Sequence, residues 1–143
     1  MAKIYLAAPY SDHDAAVREA RVEAASRVAA LLMAQGHVVF SPITHGHSVA
    51  KYLEERYLLC HDFWMAQCLP MLESCDWLVV LPLHGWHLSR GLRREQQHAE
   101  WHSIPCFVWQ EGCRDEIELL DSDLLEVCSH NLFKVKDALQ NGS

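Results

Sequence analysis

The chain has 143 residues, of which 50% are hydrophobic and 22% are charged. A chain of this length is expected to fold as one domain over residues 1–143, because it can bury about two-thirds of its unfolded surface. The formal net charge of −7, with no visible basic stripe, argues against binding to a nucleic-acid polymer but leaves a single nucleotide open as a ligand. No apolar stretch approaches the roughly 20 residues that cross a bilayer, so no membrane association is expected.

The cysteine pattern indicates a reducing compartment. The six cysteines are even in number, but they form no CxxC pair and several lie inside apolar runs. No signal peptide precedes the strand-like run that starts at Lys3. We therefore expect a cytoplasmic protein whose cysteines are reduced and act mostly as small core hydrophobes.

Short apolar runs alternate with stretches of helical periodicity along the chain. In chain order the predicted elements are a strand at Lys3–Ala7, a helix at 15–35, a strand at Val38–Phe40, a polar loop at 44–48, helices at 51–60 and 62–74, a strand at 77–81, a helix at 92–102, a strand at 105–109 and a mostly helical segment at 116–139. Capping residues at 11–14 and a glycine at 36 delimit the first helix. Pro70 is expected to kink or restart the helix that contains it.

The alternation of strands and helices predicts an α/β fold. We expect a three-layer Rossmann-like (flavodoxin-like) parallel sheet of about four to five strands flanked by helices, with residues 110–143 as a C-terminal helical extension. Ligands bind such sheets outside the carboxyl ends of the strands. That rule selects the loops 8–14, 41–48 and 82–91.

The segment 89–95 follows the most hydrophobic predicted strand and carries the clearest chemical signal. Ser89 and Gly91 lie where a strand leads into a helix, and the backbone N–H groups of such a helix start favour an anion. Glu95 is predicted one turn into that helix and facing the same mouth. A carboxylate there is expected to stay ionised, as a nucleophile for a sugar anomeric carbon must be. In the alternative interpretation, Glu95 only complements the helix dipole.

Glycosidic chemistry uses two carboxyl groups, one for a covalent intermediate and one for the leaving group. Asp62, at the predicted start of the helix before the same strand, is the second candidate, and its alternative is a helix N-cap. Tyr5 is expected to point from the first strand towards the same edge, with a half-buried core tyrosine as the alternative. The glycosyl-transfer hypothesis requires Asp62 and Glu95 to meet at the rim of the sheet.

Ten histidines raise the hypothesis of a metal site. The candidate groups are His45 with His47, His84 with His87, and His98 with His102. The last pair is spaced i and i+4 on one helix, but the helix lacks the H-E-x-x-H signature of catalytic zinc. We therefore predict a site with no metal and no cofactor, in which His45 lines the ligand mouth.

Five segments occur in a characteristic order: KIYLAAPYS, GHVVFSPITH, the Asp62 helix start, CDWLVVLP and the pattern S-x-G-x-x-x-E-x-x-x-A, which begins at Ser89. Together they resemble the nucleoside 2-deoxyribosyltransferase superfamily, including its 2'-deoxynucleoside 5'-monophosphate N-glycosidase branch. The similarity covers roughly residues 3–109. The loop at 84–90 departs from the family, because it is bulkier than the family's short glycine-rich loops.

The resemblance implies roles for individual residues. Glu95 matches the nucleophile that forms a glycosyl-enzyme intermediate at C1', Asp62 matches the acid that holds the sugar or assists the departing base, and Tyr5 matches a tyrosine near both. Ser89 matches a phosphate-binding serine of the monophosphate glycosidase. The residues expected to bind substrate are Ala7, Pro9, His45, Ser89, Arg90 and Gly91.

The implied activity is cleavage or base exchange at the N-glycosidic bond of a nucleoside or nucleoside 5'-monophosphate. The alternative is a non-catalytic module of the same fold that binds or senses a nucleotide derivative. Trp64, Trp86 and Trp101, with apolar stretches at 58–59 and 69–71, exceed the needs of one small core. A homodimer or homotetramer with helices around 62–74 at its interface is therefore expected, and the resemblance implies the same.

Overall fold

The structure, a computed structural model, describes residues 1–109 and 132–134. The strands are β1 (Lys3–Ala7), β2 (Val38–Phe40), β3 (Trp77–Val80), β4 (Cys106–Trp109) and β5 (Leu132–Lys134). The helices are α1 (Ala15–Ala34), α2 (Pro42–Ala50), α3 (Glu55–Leu58), α4 (His61–Glu73) and α5 (Arg90–Trp101). A 3₁₀ turn at Trp86–Leu88 precedes α5.

The strands form one sheet in the order β2-β1-β3-β4-β5. The first four are mutually parallel, and β5 pairs antiparallel with β4 at the edge. In the register of the sheet, Tyr5 of β1 lies between Phe40 of β2 and Leu78 of β3. The predicted three-layer α/β fold is confirmed, with an antiparallel fifth strand as a refinement of the parallel sheet.

Helices cover both faces of the sheet, which is why the parallel strands are hydrophobic throughout rather than alternating. Successive side chains of β1 point to opposite faces. One face packs with α1 through Ile4, Leu6, Ala25, Ala29 and Leu32. The other face packs with α4 and α5 through Tyr5, Ala7, Cys68, Leu72, Leu92 and Ala99. The two helices on this second face carry the candidate site.

Hydrophobic periodicity, capping residues and glycines predicted most helix boundaries to within two residues. The Asp14 side chain caps α1 by accepting a hydrogen bond from the Ala16 N–H at 2.8 Å, and Gly36, with φ of 93°, follows its end. In the predicted helix 51–60, only Glu55–Leu58 is helical. Of the two predicted effects of Pro70, a restart of the helix does not occur, because α4 continues through Pro70 to Glu73.

Two segments differ in type from the expectation. The predicted polar loop 44–48 lies inside α2, where Pro42 occupies the first turn, a position that needs no N–H donor. The predicted helix 116–139 is wrong at Leu132–Lys134, where the chain forms β5. Pairing with β4 satisfies backbone groups that an open sheet edge would leave exposed. The rest of the predicted C-terminal helical extension lies outside the described residues.

Within the ranges 1–109 and 132–134, no helix is long and apolar enough to cross a membrane. Among the described cysteines, Cys60, Cys68 and Cys75 are free thiols. Cys68 and Cys75 are buried, as expected for cysteines that act as small hydrophobes. Two cysteines of the sequence lie outside the described residues.

Candidate active site around Tyr5 and Glu95

The three segments predicted to bind a ligand, 8–14, 41–48 and 82–91, are linked by hydrogen bonds at the carboxyl edge of the sheet. The Arg21 guanidinium of α1 donates to the Ser11 carbonyl at 3.0 Å and to the His84 carbonyl at 3.1 Å, which joins the segment after β1 to the segment after β3. The Tyr10 hydroxyl lies 2.6 Å from Nδ1 of His47, which joins the first of these segments to α2. This edge is therefore held together by hydrogen bonds between residues distant in the chain.

Glu95 is buried below this edge. It is the sixth residue of α5 and faces the sheet together with Leu92 and Ala99, three and four residues away. Only 5% of its surface is exposed. Its Oε2 accepts a hydrogen bond from the hydroxyl of Tyr5, whose side chain is fully buried on β1. The structure thus brings together the first strand and the helix that follows the third.

Burial dominates the electrostatics of this pair. It raises the pKa of Glu95 to about 7, because the carboxylate loses its hydration, while the hydrogen bond from Tyr5 acts to lower it. The pKa of Tyr5 is raised, first by burial and then by the neighbouring Glu95 charge. Cys68 of α4 belongs to the same cluster, where burial and then the Glu95 charge raise the pKa of its thiol to about 11.

The structure bears on two interpretations of Glu95. The helix-dipole interpretation is wrong, because Glu95 lies beyond the first turn of α5 and points into the core. Burial, which raises the pKa of Glu95 to about 7, acts against the expected ionised form, while the hydrogen bond from Tyr5 favours it. Glu95 therefore sits below the mouth rather than facing it.

Asp62 occupies a different environment from Glu95. It is exposed in the first turn of α4, and the N-cap of that helix is Cys60, whose Sγ accepts from the Phe63 N–H at 3.4 Å. Six residues further along α4, roughly 9 Å along the axis, Cys68 interacts with Glu95. No hydrogen bond joins Asp62 to Glu95 among the described residues, so the predicted meeting of the two acids at the rim of the sheet stays a prediction.

The side chain of Ser89 caps the N-terminus of α5. Ser89 Oγ accepts a hydrogen bond from the Leu92 N–H at 3.2 Å, as an N-cap does. Arg90 is exposed at the first helical position. A Cβ added to Gly91 would lie 3.6 Å from Met65 Cε, so the first turns of α5 and α4 lie side by side.

The remaining predicted substrate contacts differ in accessibility. Ala7 and Pro9 are buried, so their side chains offer no open surface to a ligand. His45 is exposed on α2, and its ring lies 5.9 Å from that of Phe40, which in turn lies 5.7 Å from the ring of Tyr5. A row of aromatic rings therefore connects His45 to the Tyr5–Glu95 pair.

Sequence reasoning missed two polar groups of this region. The sequence alone marks Cys68 only as a core cysteine, because its partners are on β1 and α5. Ser41 Oγ, directly after β2, is buried and has no hydrogen-bond partner in the described part of the chain. His47, a candidate from the sequence, contacts Tyr10 and also bonds through Nε2 to Glu19 at 2.8 Å. The position of Ser41 directly after a strand was the available signal for its place at this edge.

A groove of about 230 Å³ lies beside α5, between that helix and the 3₁₀ turn. Its lining includes Trp86, Ser89, Leu92, Arg93 and Gln96. Small-molecule sites typically enclose about 300–1,000 Å³, so this groove by itself is small for a nucleotide.

The fold and the site together define a three-layer α/β protein with a buried tyrosine–glutamate pair below the carboxyl edge of its sheet. The chain belongs to the family described as a domain of unknown function, DUF1937, whose model matches residues 2–111. That match includes the strands β1 to β4 and all the candidate site residues. No curated protein matches the chain.

Proposed function

We propose that the protein cleaves or exchanges the N-glycosidic bond of a nucleoside or nucleoside 5'-monophosphate through a glycosyl intermediate on Glu95. The observation that carries this proposal is the hydrogen bond from Tyr5 to a buried Glu95 below the carboxyl edge of a parallel sheet. Carboxylates with raised pKa values are concentrated at functional sites, since burying one without a task destabilises the fold.

In the proposed reaction, an ionised Glu95 oxygen attacks C1' of the sugar. The C1'–N bond breaks, and its electron pair leaves with the base nitrogen, which takes up a proton. A water molecule or the nitrogen of a second base then attacks C1' and releases Glu95. Two successive displacements give retention of configuration at C1'. The Tyr5 hydroxyl orients the carboxylate and stabilises its charged form.

Residues at the starts of α4 and α5 would complete the substrate site. Asp62 is exposed at the start of α4, where it can reach a departing base that projects from the mouth. Arg90 and the backbone at Gly91 offer positive charge and N–H donors to a 5'-phosphate. The contact between Met65 and Gly91 supports this arrangement, because it brings the two helix starts together.

A homodimer or homotetramer is part of the same proposal. Leu59 and Met71 on or beside α4, and Trp101 at the end of α5, are 81%, 43% and 86% exposed. Apolar side chains left exposed in this way favour association between copies. A neighbouring chain could then enlarge the small groove beside α5 into a closed site. Free thiols at Cys60, Cys68 and Cys75 agree with the proposed cytoplasmic location.

The burial of Glu95 also favours a second candidate, a binding or sensing module for a nucleotide derivative. With 5% of its surface exposed and Tyr5 as a partner, Glu95 can serve to hold β1 and α5 together without attacking a sugar. A ligand would then bind in the mouth above Glu95 and dissociate chemically unchanged.

The two candidates are separated by incubating the full chain with deoxynucleosides and with their 5'-monophosphates, and measuring free base by liquid chromatography. The enzyme hypothesis predicts base release, and a mass increase equal to the bound sugar after acid quenching. Glu95→Gln should reduce the rate more than about a hundredfold, because the amide is not a nucleophile.

Glu23→Gln is the matched control, since it makes the same change at an exposed position on α1 and should keep full activity. Thermal melting of both variants establishes that they are folded. Base release that persists in Glu95→Gln refutes the nucleophile. Thermal stabilisation by a ligand that stays intact in the wild-type protein supports the binding module instead.

A further inference from the structure

A second cluster of chemically active side chains lies at the opposite ends of α4 and α5. Glu73 is the last residue of α4, His98 lies in the last turn of α5, and His102 is the C-cap of α5. Both helices end just before the strands β3 and β4 begin, so the cluster lies at the amino edge of the sheet. It is therefore at the far edge from the mouth that the proposed substrate would use.

The three side chains present their ligand atoms to one another. His98 Nε2 lies 2.8 Å and His102 Nε2 3.6 Å from the same carboxylate oxygen, Oε1 of Glu73. All three atoms lie within 4.8 Å of one another. Tetrahedral Zn²⁺ with bonds of about 2.0–2.1 Å holds its ligand atoms roughly 3.3 Å apart. The two nitrogen–oxygen separations bracket that value, and side-chain rotation would adjust the rest of the set around an ion.

The helix ends supply a favourable field for a cation. The unpaired carbonyl groups at a helix C-terminus carry a partial negative charge. Here the C-terminal ends of α4 and α5 meet, and the last turn of α4 has no basic residue of its own. Two neutral imidazoles and a carboxylate add one full negative charge to these partial charges.

We propose that Glu73, His98 and His102 bind a divalent transition-metal ion of the Zn²⁺ class. Two imidazole nitrogens and one carboxylate oxygen suit zinc, copper, nickel and cobalt, and disfavour Mg²⁺ and Ca²⁺, which prefer oxygen ligands. Water completes the coordination, because Glu73 and His102 are 44% and 39% exposed at their side chains. The ion cross-links α4 to α5 and so holds together the two helices that carry Cys68 and Glu95.

This site does not depend on the proposed glycosyl chemistry. A simple ion pair between Glu73 and His98 is the competing explanation for their 2.8 Å contact. A neutral His98 ring N–H can donate the same hydrogen bond, so this contact by itself requires no ion. The two explanations differ in their response to added metal, because only a metal site predicts saturable binding that depends on all three side chains.

The test is calorimetric titration of the metal-free full chain with ZnCl₂ at pH 7.5. We expect saturable binding that raises the melting temperature. His98→Ala and His102→Ala should each weaken Zn²⁺ binding at least tenfold, and Glu73→Gln should do so through loss of the negative charge. CoCl₂ should give a visible absorption band of nitrogen and oxygen ligation.

His84→Ala combined with His87→Ala is the matched control, because it removes two exposed histidines outside the cluster and should leave the affinity unchanged. Melting curves without metal show that each variant is folded, and Glu73→Gln, at an exposed helix end, keeps the test valid if a histidine variant fails to fold. Absence of Zn²⁺ binding in the wild-type chain overturns the proposal. Equal affinity in the cluster variants, or a Co²⁺ spectrum dominated by thiolate charge transfer, overturns it as well.

Discussion

The substitution Glu95→Gln should change the pH dependence of stability in a direction set by burial. The folded protein holds a Glu95 carboxyl with a pKa of about 7, against 4.5 for an ordinary carboxyl. Below pH 4.5 the group is protonated in both states and its contribution is fully present. As the pH rises from 4.5 through 7, the unfolded chain loses the proton more readily, so this contribution to stability is lost.

The magnitude follows from the difference between the two pKa values. One pKa unit corresponds to about 1.36 kcal/mol, so ionisation of Glu95 destabilises the wild-type protein by about 3 kcal/mol above pH 7. Glutamine keeps the oxygen that accepts from Tyr5 and never ionises. The variant should therefore match the wild-type protein within about 1 kcal/mol near pH 4, and exceed its free energy of unfolding by about 3 kcal/mol near pH 8.

Equilibrium unfolding in urea at a series of pH values measures this difference. With a slope of about 1–3 kcal/mol per molar urea, the expected midpoint shift near pH 8 is about 1–3 M. Other titrating groups are common to both proteins and cancel in the comparison. Glu23→Gln, at an exposed position, should stay within about 0.5 kcal/mol of the wild-type protein throughout. A difference between Glu95→Gln and wild type that does not vary with pH would refute the argument from burial.

Three further outcomes follow from the same contacts. Tyr5→Phe removes the hydroxyl that stabilises the Glu95 carboxylate, so the acidic limb of the pH–rate profile for base release should move up by about one unit or more; a limb that stays in place contradicts the role given to Tyr5. Leu72→Ala empties a fully buried position and should lower the free energy of unfolding by about 2–5 kcal/mol; a loss below 1 kcal/mol in urea melts means that α4 is not packed as described. Gly85→Ala forces a side chain to φ of 81° and should destabilise by about 1–2 kcal/mol, while an unchanged melting temperature speaks against that backbone conformation.

The ionisation of Glu95 links the stability of the fold to the proposed chemistry. Ionisation of the buried Glu95 carboxyl destabilises the fold, and the ionised form is the proposed nucleophile. Contact with a developing positive charge on a sugar would offset this loss, because opposite charges attract strongly where water is excluded. The same residue thus destabilises the resting fold and is suited to stabilise a cationic transition state.

Part of the candidate site could be read from local patterns. Leu92, Glu95 and Ala99 lie on one stripe of α5, so the burial of Glu95 was available from helical spacing even though its partner was not. The N-cap role of Ser89 was also readable, since a serine before a helical run is a common helix start. Asp62 was correctly predicted near the start of a helix, whereas its position relative to Glu95 depends on how α4 packs.

The segment 44–48, which lies inside α2, is a place where the prediction from local sequence was wrong. The polar run at 44–48 has loop-forming residues, including Gly46, and favours a loop on composition. In the structure Gly46 is buried, and a Cβ there would meet the Trp64 ring at 3.3 Å. The close approach of α2 to α4 therefore requires a glycine inside a helix, and tertiary packing outweighs its low helix propensity.

The amino-acid sequence by itself determined the layered α/β architecture and most element boundaries, because periodicity, caps and glycines act over a few neighbouring residues. Only the tertiary structure decided which side chains meet: Tyr5 with Glu95 from positions 90 residues apart, and Glu73 with the histidines of α5. Such contacts depend on the distance and rotation between packed elements, and the burial that raises the pKa of Glu95 arises only once those elements have closed around it.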